Sequence, residues 1–307
     1  MDIGFAVPIS GSWATVANIE EIARSAEASG YHSLWTFQRI VSAVDDAGEH
    51  ALLPQYRSVL DPLALMAYLA AVTDRVRLGV AVLNLPFAAP VVTAKTLTTI
   101  DRLSGGRLDI GFGTGWQPQE FEAAGVPMAR RGARADDYLR CLDAVWGSGN
   151  GGVVEYHGEF YDVPPCRIEP APLQLPHPPI LMGGMSEPAM RRAGRLADGW
   201  ISSSQADLSR IEESIEIVRG AAAEAGRDPE AVRVVCRGVV KVRTDERSPL
   251  VGSLDDIAAD LADLGRRGVT EVFLDMNFDP TIGSPDADPD VSMARAREVL
   301  DALAPGA

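Results

Sequence analysis

Eight times along this 307-residue chain a short apolar run, rich in β-branched and aromatic residues, is followed by a segment with apolar residues at helical spacing. That recurrence constrains the fold more than any other feature, because strands joined through helices run parallel, in an open doubly wound sheet or a closed barrel. The spacing predicts strands over 3–9, 33–36, 76–83, 108–113, 179–182, 199–202, 232–242 and 271–276. Helices are predicted over 15–29, 62–73, 90–103, 134–146, 187–196, 208–225, 254–267 and 291–303. An open sheet rarely reaches eight units without a second domain, so the expectation is one (β/α)₈ TIM-barrel domain over 1–307. One stretch breaks the rhythm. Residues 147–179 are rich in Gly and Pro and read as an insertion before strand five. Within them, 153–156 and 159–162 suggest a small hairpin around His157-Gly158.

Composition narrows the partners. A formal net charge of −15 argues against nucleic acid, whose recognition needs a basic face. No run of 18 apolar residues is present, so no membrane helix is expected, and MDIGFAVPIS lacks the basic start of a signal peptide. The three cysteines form no CxxC pair, which suits a reducing, cytoplasmic setting. The four histidines lack metal-ligand partners at helical spacing, so no metal is expected. His32, His157 and His177 read as structural or solvated.

In a barrel of this kind the site lies in the loops after the strands. After the fourth predicted strand, Gly111, Gly113 and Gly115 admit either tight backbone packing or the close approach of a flat ligand, with Trp116 at the tip. The spacing is not a dinucleotide fingerprint, because Trp116 stands where the third glycine belongs. After the fifth, Gly183-Gly184-Met185-Ser186 runs into a helix whose start favours an anion such as phosphate. Ser186 is either that helix's N-cap or a phosphate donor. After the third, Val80 to Asn84 is nearly all apolar, and is either barrel core or a wall for a planar ring.

Together, SLWT following GY, RLGVAVLNLPF, TIDRLSGGRLDIGFGTGW, EFEAAGVPMARRGARADDYLRCLDAVW and PILMGGMSEPAMRRAGRLADGWI resemble the bacterial-luciferase-like superfamily of flavin and deazaflavin oxidoreductases. More narrowly, they resemble its coenzyme F420-dependent branch, in order over about residues 1–275. The resemblance implies a barrel with the cofactor ring across the strand ends and a non-prolyl cis peptide at Ala81–Val82. It implies a cofactor wall of Ala81, Val82, Asn84, Gly113, Thr114 and Gly115, and a phosphate turn of Gly183, Gly184, Met185 and Ser186. A homodimer and a small-molecule substrate are implied as well.

One departure bears on mechanism. Where F420 enzymes of this family often carry an acidic residue and a histidine, this chain has Gln38 and Arg39. Gln38 cannot act as a base, whereas Arg39 could bind an anion or polarise a carbonyl. Glu120 is the nearest carboxylate to the glycine loop, a candidate acid–base group or a helix-start surface charge. His50 and Tyr56, in the irregular loop over the mouth, and Trp116 are substrate-side candidates. The expected function is F420-dependent hydride transfer to or from a small organic substrate. The alternatives are an FMN-dependent monooxygenase and a non-catalytic flavin-binding barrel.

Overall fold

The computed structural model describes residues 1–43 and 53–306. Eight strands form a closed parallel barrel: β1 (Asp2–Ala6), β2 (Ser33–Thr36), β3 (Arg77–Asn84), β4 (Leu108–Gly113), β5 (Ile180–Gly183), β6 (Gly199–Ile201), β7 (Arg233–Val239) and β8 (Glu271–Asp275). Each strand pairs with the next, and β8 returns to β1 with Asp2 opposite Glu271 and Phe5 opposite Leu274. The helices are α1 (Val16–Ala28), α2 (Pro62–Val72), α3 (Pro90–Leu103), α4 (Pro118–Ala123), α5 (Arg131–Gly147), α6 (Glu187–Leu196), α7 (Ile211–Glu224), α8 (Leu254–Arg266) and α9 (Pro289–Ala302).

Local chemistry starts these helices where the sequence signals them. The Asp61 side chain accepts from the Ala64 amide, with Pro62 in the first turn of α2. Ser253 and Asp256 close a reciprocal capping box on α8.

Three predicted boundaries are corrected. The first strand ends at Ala6, not 9; the Val7 amide still donates to the Trp35 carbonyl, but Pro8 has no N–H with which to continue. The seventh ends at Val239, and Lys241–Val242 pairs with Val251–Gly252 outside the barrel. The hairpin strands are Val154–His157 and Asp162–Cys166, so the turn falls at 158–161, not at His157-Gly158. Asp137 of α5 sets that turn by accepting the amides of Phe160 and Tyr161 at 2.7 and 3.1 Å. His177 is also not solvated, because its ring lies 5.6 Å from that of Trp146 and its side chain is 18% exposed.

Inside the barrel, Ala6, Trp35, Ala81, Leu181, Ile201, Val235 and Phe273 form a separate apolar cluster. Trp35 stacks on Phe273 at 4.8 Å between ring centroids. It fits only because β3 offers Gly79 there: a Cβ at that position would lie 2.5 Å from the indole.

Below this cluster, charged residues at the strand starts form a network in which two buried carboxylates meet partly buried arginines. Arg77 and Arg233 both grip Asp109, at 2.7 and 2.8 Å, and Arg233 also reaches Glu271 at 2.9 Å. Burial by itself would push the Asp109 carboxyl up. The two guanidiniums outweigh it and hold the group below its ordinary range. This closed end leaves the opposite end for chemistry.

Candidate cofactor and substrate site

A cavity of about 460 Å³ opens at the C-terminal ends of the strands. The glycine turn after β4 and the Gly183–Ser186 turn after β5 both line it, as do Ala81, Val82, Asn84, Gln38, Arg39, Tyr56 and Trp116. The residues expected from the three separate post-strand loops therefore share one mouth. One expected residue is not on its wall: Glu120 is fully buried behind Arg39. His50 lies outside the described residues.

Val82 is the wedge between the two turns. The Ala81–Val82 peptide is cis, and the β3–β4 register shifts between Val80 and Leu83. Cβ atoms added at Gly113 and Gly183 would lie 2.6 and 3.1 Å from the two methyls of Val82. Any larger residue at these positions would fill the space beside it. At the helix start, the Ser186 hydroxyl makes no capping hydrogen bond, which leaves it available at the cavity.

Across the mouth, Gln38 accepts the Asn84 amide at 2.9 Å and so ties the loop after β2 to the end of β3. Arg39 lies between two rings, 4.4 Å from the Tyr56 centroid and 5.1 Å from that of Trp116. Its Nη1 donates to Glu120 at 2.5 Å, while the other Glu120 oxygen accepts the Ile40 amide at 2.9 Å. Burial pushes the Glu120 carboxyl up, with Arg39 and the Ile40 amide pulling against it. The carboxylate is neither the surface charge nor the mouth-facing group that its place in the sequence suggests.

Sequence reasoning missed two features. Arg237 projects from β7 into the cavity wall, ringed by Phe37, Phe273 and Phe278 at 4.8 to 5.6 Å. Its Nη2 donates to the Ala81 carbonyl, and its Nε lies 3.2 Å from the buried Asp275. Burial pushes the Arg237 guanidinium down and Asp275 up, each opposed by the other's charge. The signal was available, because an arginine inside the apolar run RVVCRGV is a buried charge in need of a purpose. The second feature is the polar run Ser202-Ser203-Ser204-Gln205 after β6, which continues the wall beside the phosphate-type turn.

Together, Arg39, Arg131 and Arg237 put three guanidiniums on the cavity lining of a chain whose net charge is −15. No described residue of that lining is a carboxylate or an imidazole. Among the described residues no group of three or more metal-ligating side chains occurs, and no helix is long and apolar enough to cross a membrane.

Comparison with known proteins agrees with this architecture. An uncharacterized protein of Mycobacterium tuberculosis, Rv0940c, is 33% identical over 277 residues, covering 87% of this chain and 88% of its own. An FMNH(2)-dependent dimethylsulfone monooxygenase of Pseudomonas putida is 31% identical over 229 residues, 74% of this chain and 58% of that one. The fold of an F420-dependent secondary alcohol dehydrogenase, solved with an F420-acetone adduct, superposes with a TM-score of 0.77 over 98% of both chains at 16% identity. Residues 3–249 match the luciferase-like monooxygenase family, and the chain belongs to that family of oxidoreductases.

Proposed function

We propose that this protein is an oxidoreductase that binds coenzyme F420 in the mouth cavity and transfers hydride between the deazaflavin ring and a small organic substrate. One observation carries the reading. Two glycine turns flank Val82 in a single cavity that gathers three guanidiniums in an acidic protein. The residues fit such a group: methyl groups at Gly113 or Gly183 would occupy the space beside Val82, and the uncommitted Ser186 hydroxyl suits a phosphate. Val82, Gly113, Thr114 and Gly115 would hold the ring side. Gly183 to Ser186, Ser202 to Gln205 and Arg131 would hold the phosphate side.

When bound, the deazaflavin supplies the hydride chemistry. The chain's own residues position and desolvate. Gln38 fixes the end of β3 through the Asn84 amide, and Tyr56 and Trp116 hold Arg39 at the substrate side. Glu120 is a positioning residue that acts through Arg39. The described wall offers cations and hydrogen-bond donors, not a base, which suits a substrate activated by charge on its oxygen.

A second reading, an FMN-dependent monooxygenase, is favoured by the 31% identity to the FMNH(2)-dependent relative. Titrating purified apoprotein with F420 and with FMN, and following fluorescence quenching, separates the two. Tight FMN binding without F420 binding overturns the first reading. F420 binding with no hydride transfer across a broad substrate panel would instead indicate a non-catalytic barrel. The proposal further takes the protein to be a single-domain homodimer, which sedimentation velocity checks.

A further inference from the structure

We infer that Arg39 is the anchor for a carboxylate on the substrate, taken side-on by the Nε/Nη2 edge of its guanidinium. This rests on the oxidoreductase reading and narrows its substrate class to small carboxylic acids. The argument begins with what Arg39 leaves unused. Its side chain is 5% exposed and its Nη1 is engaged by Glu120. Its Nε is buried without any hydrogen-bond partner, and no described residue accepts from Nη2. An unmet buried donor is costly, and a ligand that completes it recovers that cost on binding.

Elsewhere among the described residues the same edge repeatedly grips a carboxylate, although Arg107 turns it to backbone carbonyls. Arg77 holds Asp109 through Nε and Nη2 at 2.7 and 2.8 Å, and Arg210 holds Glu213 through the same two atoms, both at 2.8 Å. Nor does Glu120 use up the donors of Arg39. Arg233 bridges two carboxylates at once, Asp109 at 2.8 Å and Glu271 at 2.9 Å. Among the described residues, Arg39 has one carboxylate in place and a second, matching edge unfilled. With Tyr56 and Trp116 over the guanidinium, the plane of the fork is fixed before a ligand arrives. A planar, two-oxygen carboxylate matches that fork better than a tetrahedral anion does. No described carboxylate on the cavity wall repels it.

The test uses benzoate, with benzamide and inorganic phosphate as comparisons, titrated into the full-length protein by calorimetry with and without F420. Benzoate should bind, and benzamide, as well as phosphate titrated with F420 present, should bind at least roughly tenfold more weakly. Arg39→Lys keeps the charge but loses the fork. The double variant Arg39→Gln/Glu120→Gln removes the pair without leaving a bare buried carboxylate. Each should weaken benzoate, titrated without F420, by about 10- to 100-fold. The inference is overturned if wild type ignores benzoate, if benzamide binds equally well, if phosphate binds equally well with F420 present, or if Arg39→Lys binds benzoate undiminished. Should the variants misfold, the wild-type ranking of the three probes decides. Absence of F420 binding with benzoate selectivity intact would count against the cofactor reading alone.

Discussion

The guanidinium of Arg237 donates to the carbonyl of Ala81, joining β7 to the irregular part of β3 across the barrel mouth. The same side chain faces Asp275 at 3.2 Å, and both residues are buried. The wall around Val82 thus depends on an ion pair that no single loop contains.

Removing one partner of such a pair strands the other in a low-dielectric site. Arg237→Met should lower unfolding stability by about 3–5 kcal/mol. Adding Asp275→Asn should recover a large part of it, because the uncompensated carboxylate is gone. Urea denaturation of the two variants measures this, and equal midpoints for single and double variants would contradict it.

Gly113 is predicted to be intolerant of the smallest side chain. A methyl there would come within 2.6 Å of a Val82 methyl, and overpacking of this kind costs about 1–3 kcal/mol. Gly113→Ala should therefore keep the fold, lose modest thermal stability and weaken cofactor binding at least roughly tenfold, one such step being 1.4 kcal/mol. Fluorescence titration of the variant against wild type gives the comparison.

The closed end of the barrel predicts a pH dependence. Asp109 has a depressed folded-state pKa, so the stability it contributes is fully present above its unfolded value, about 3.9. That contribution is lost as pH falls through the lower folded value. Asp109→Asn should cost about 3–5 kcal/mol at neutral pH, by stranding guanidinium charge. It should also flatten the loss of stability below about pH 4. Denaturation midpoints measured from pH 7 down to about pH 3 test both parts.

Asp137 is predicted to latch the insertion hairpin to α5. It accepts the Tyr156 hydroxyl at 2.6 Å together with the Phe160 and Tyr161 amides. Asp137→Ala removes three acceptor contacts and should cost about 2 kcal/mol. Limited proteolysis should then cut within 158–161 while the barrel survives. Uncut hairpin in the variant, under conditions that nick other loops, would refute the latch.

Periodicity alone was enough for the barrel. Eight strand–helix units, most helix limits within a few residues, and the insertion before β5 follow from apolar spacing, Gly and Pro. These are local properties, repeated along the chain, and a closed parallel sheet is what they pack into. Which loops face the site also followed, because every strand of a parallel barrel points its C-terminal end the same way.

Pairing between distant residues was decided only by the tertiary structure. Glu120 reads as a helix-start carboxylate near the mouth, yet it is buried against Arg39, 81 positions away. Arg237 reaches Ala81 across 156 positions and left only an odd charge in an apolar strand. Ion pairs of this kind impose no spacing on the sequence, since either partner can be supplied by any strand or loop that closure of the barrel brings within reach. The alternation of strand and helix thus specified the scaffold and the rim that carries the site, while closure selected which charges meet there.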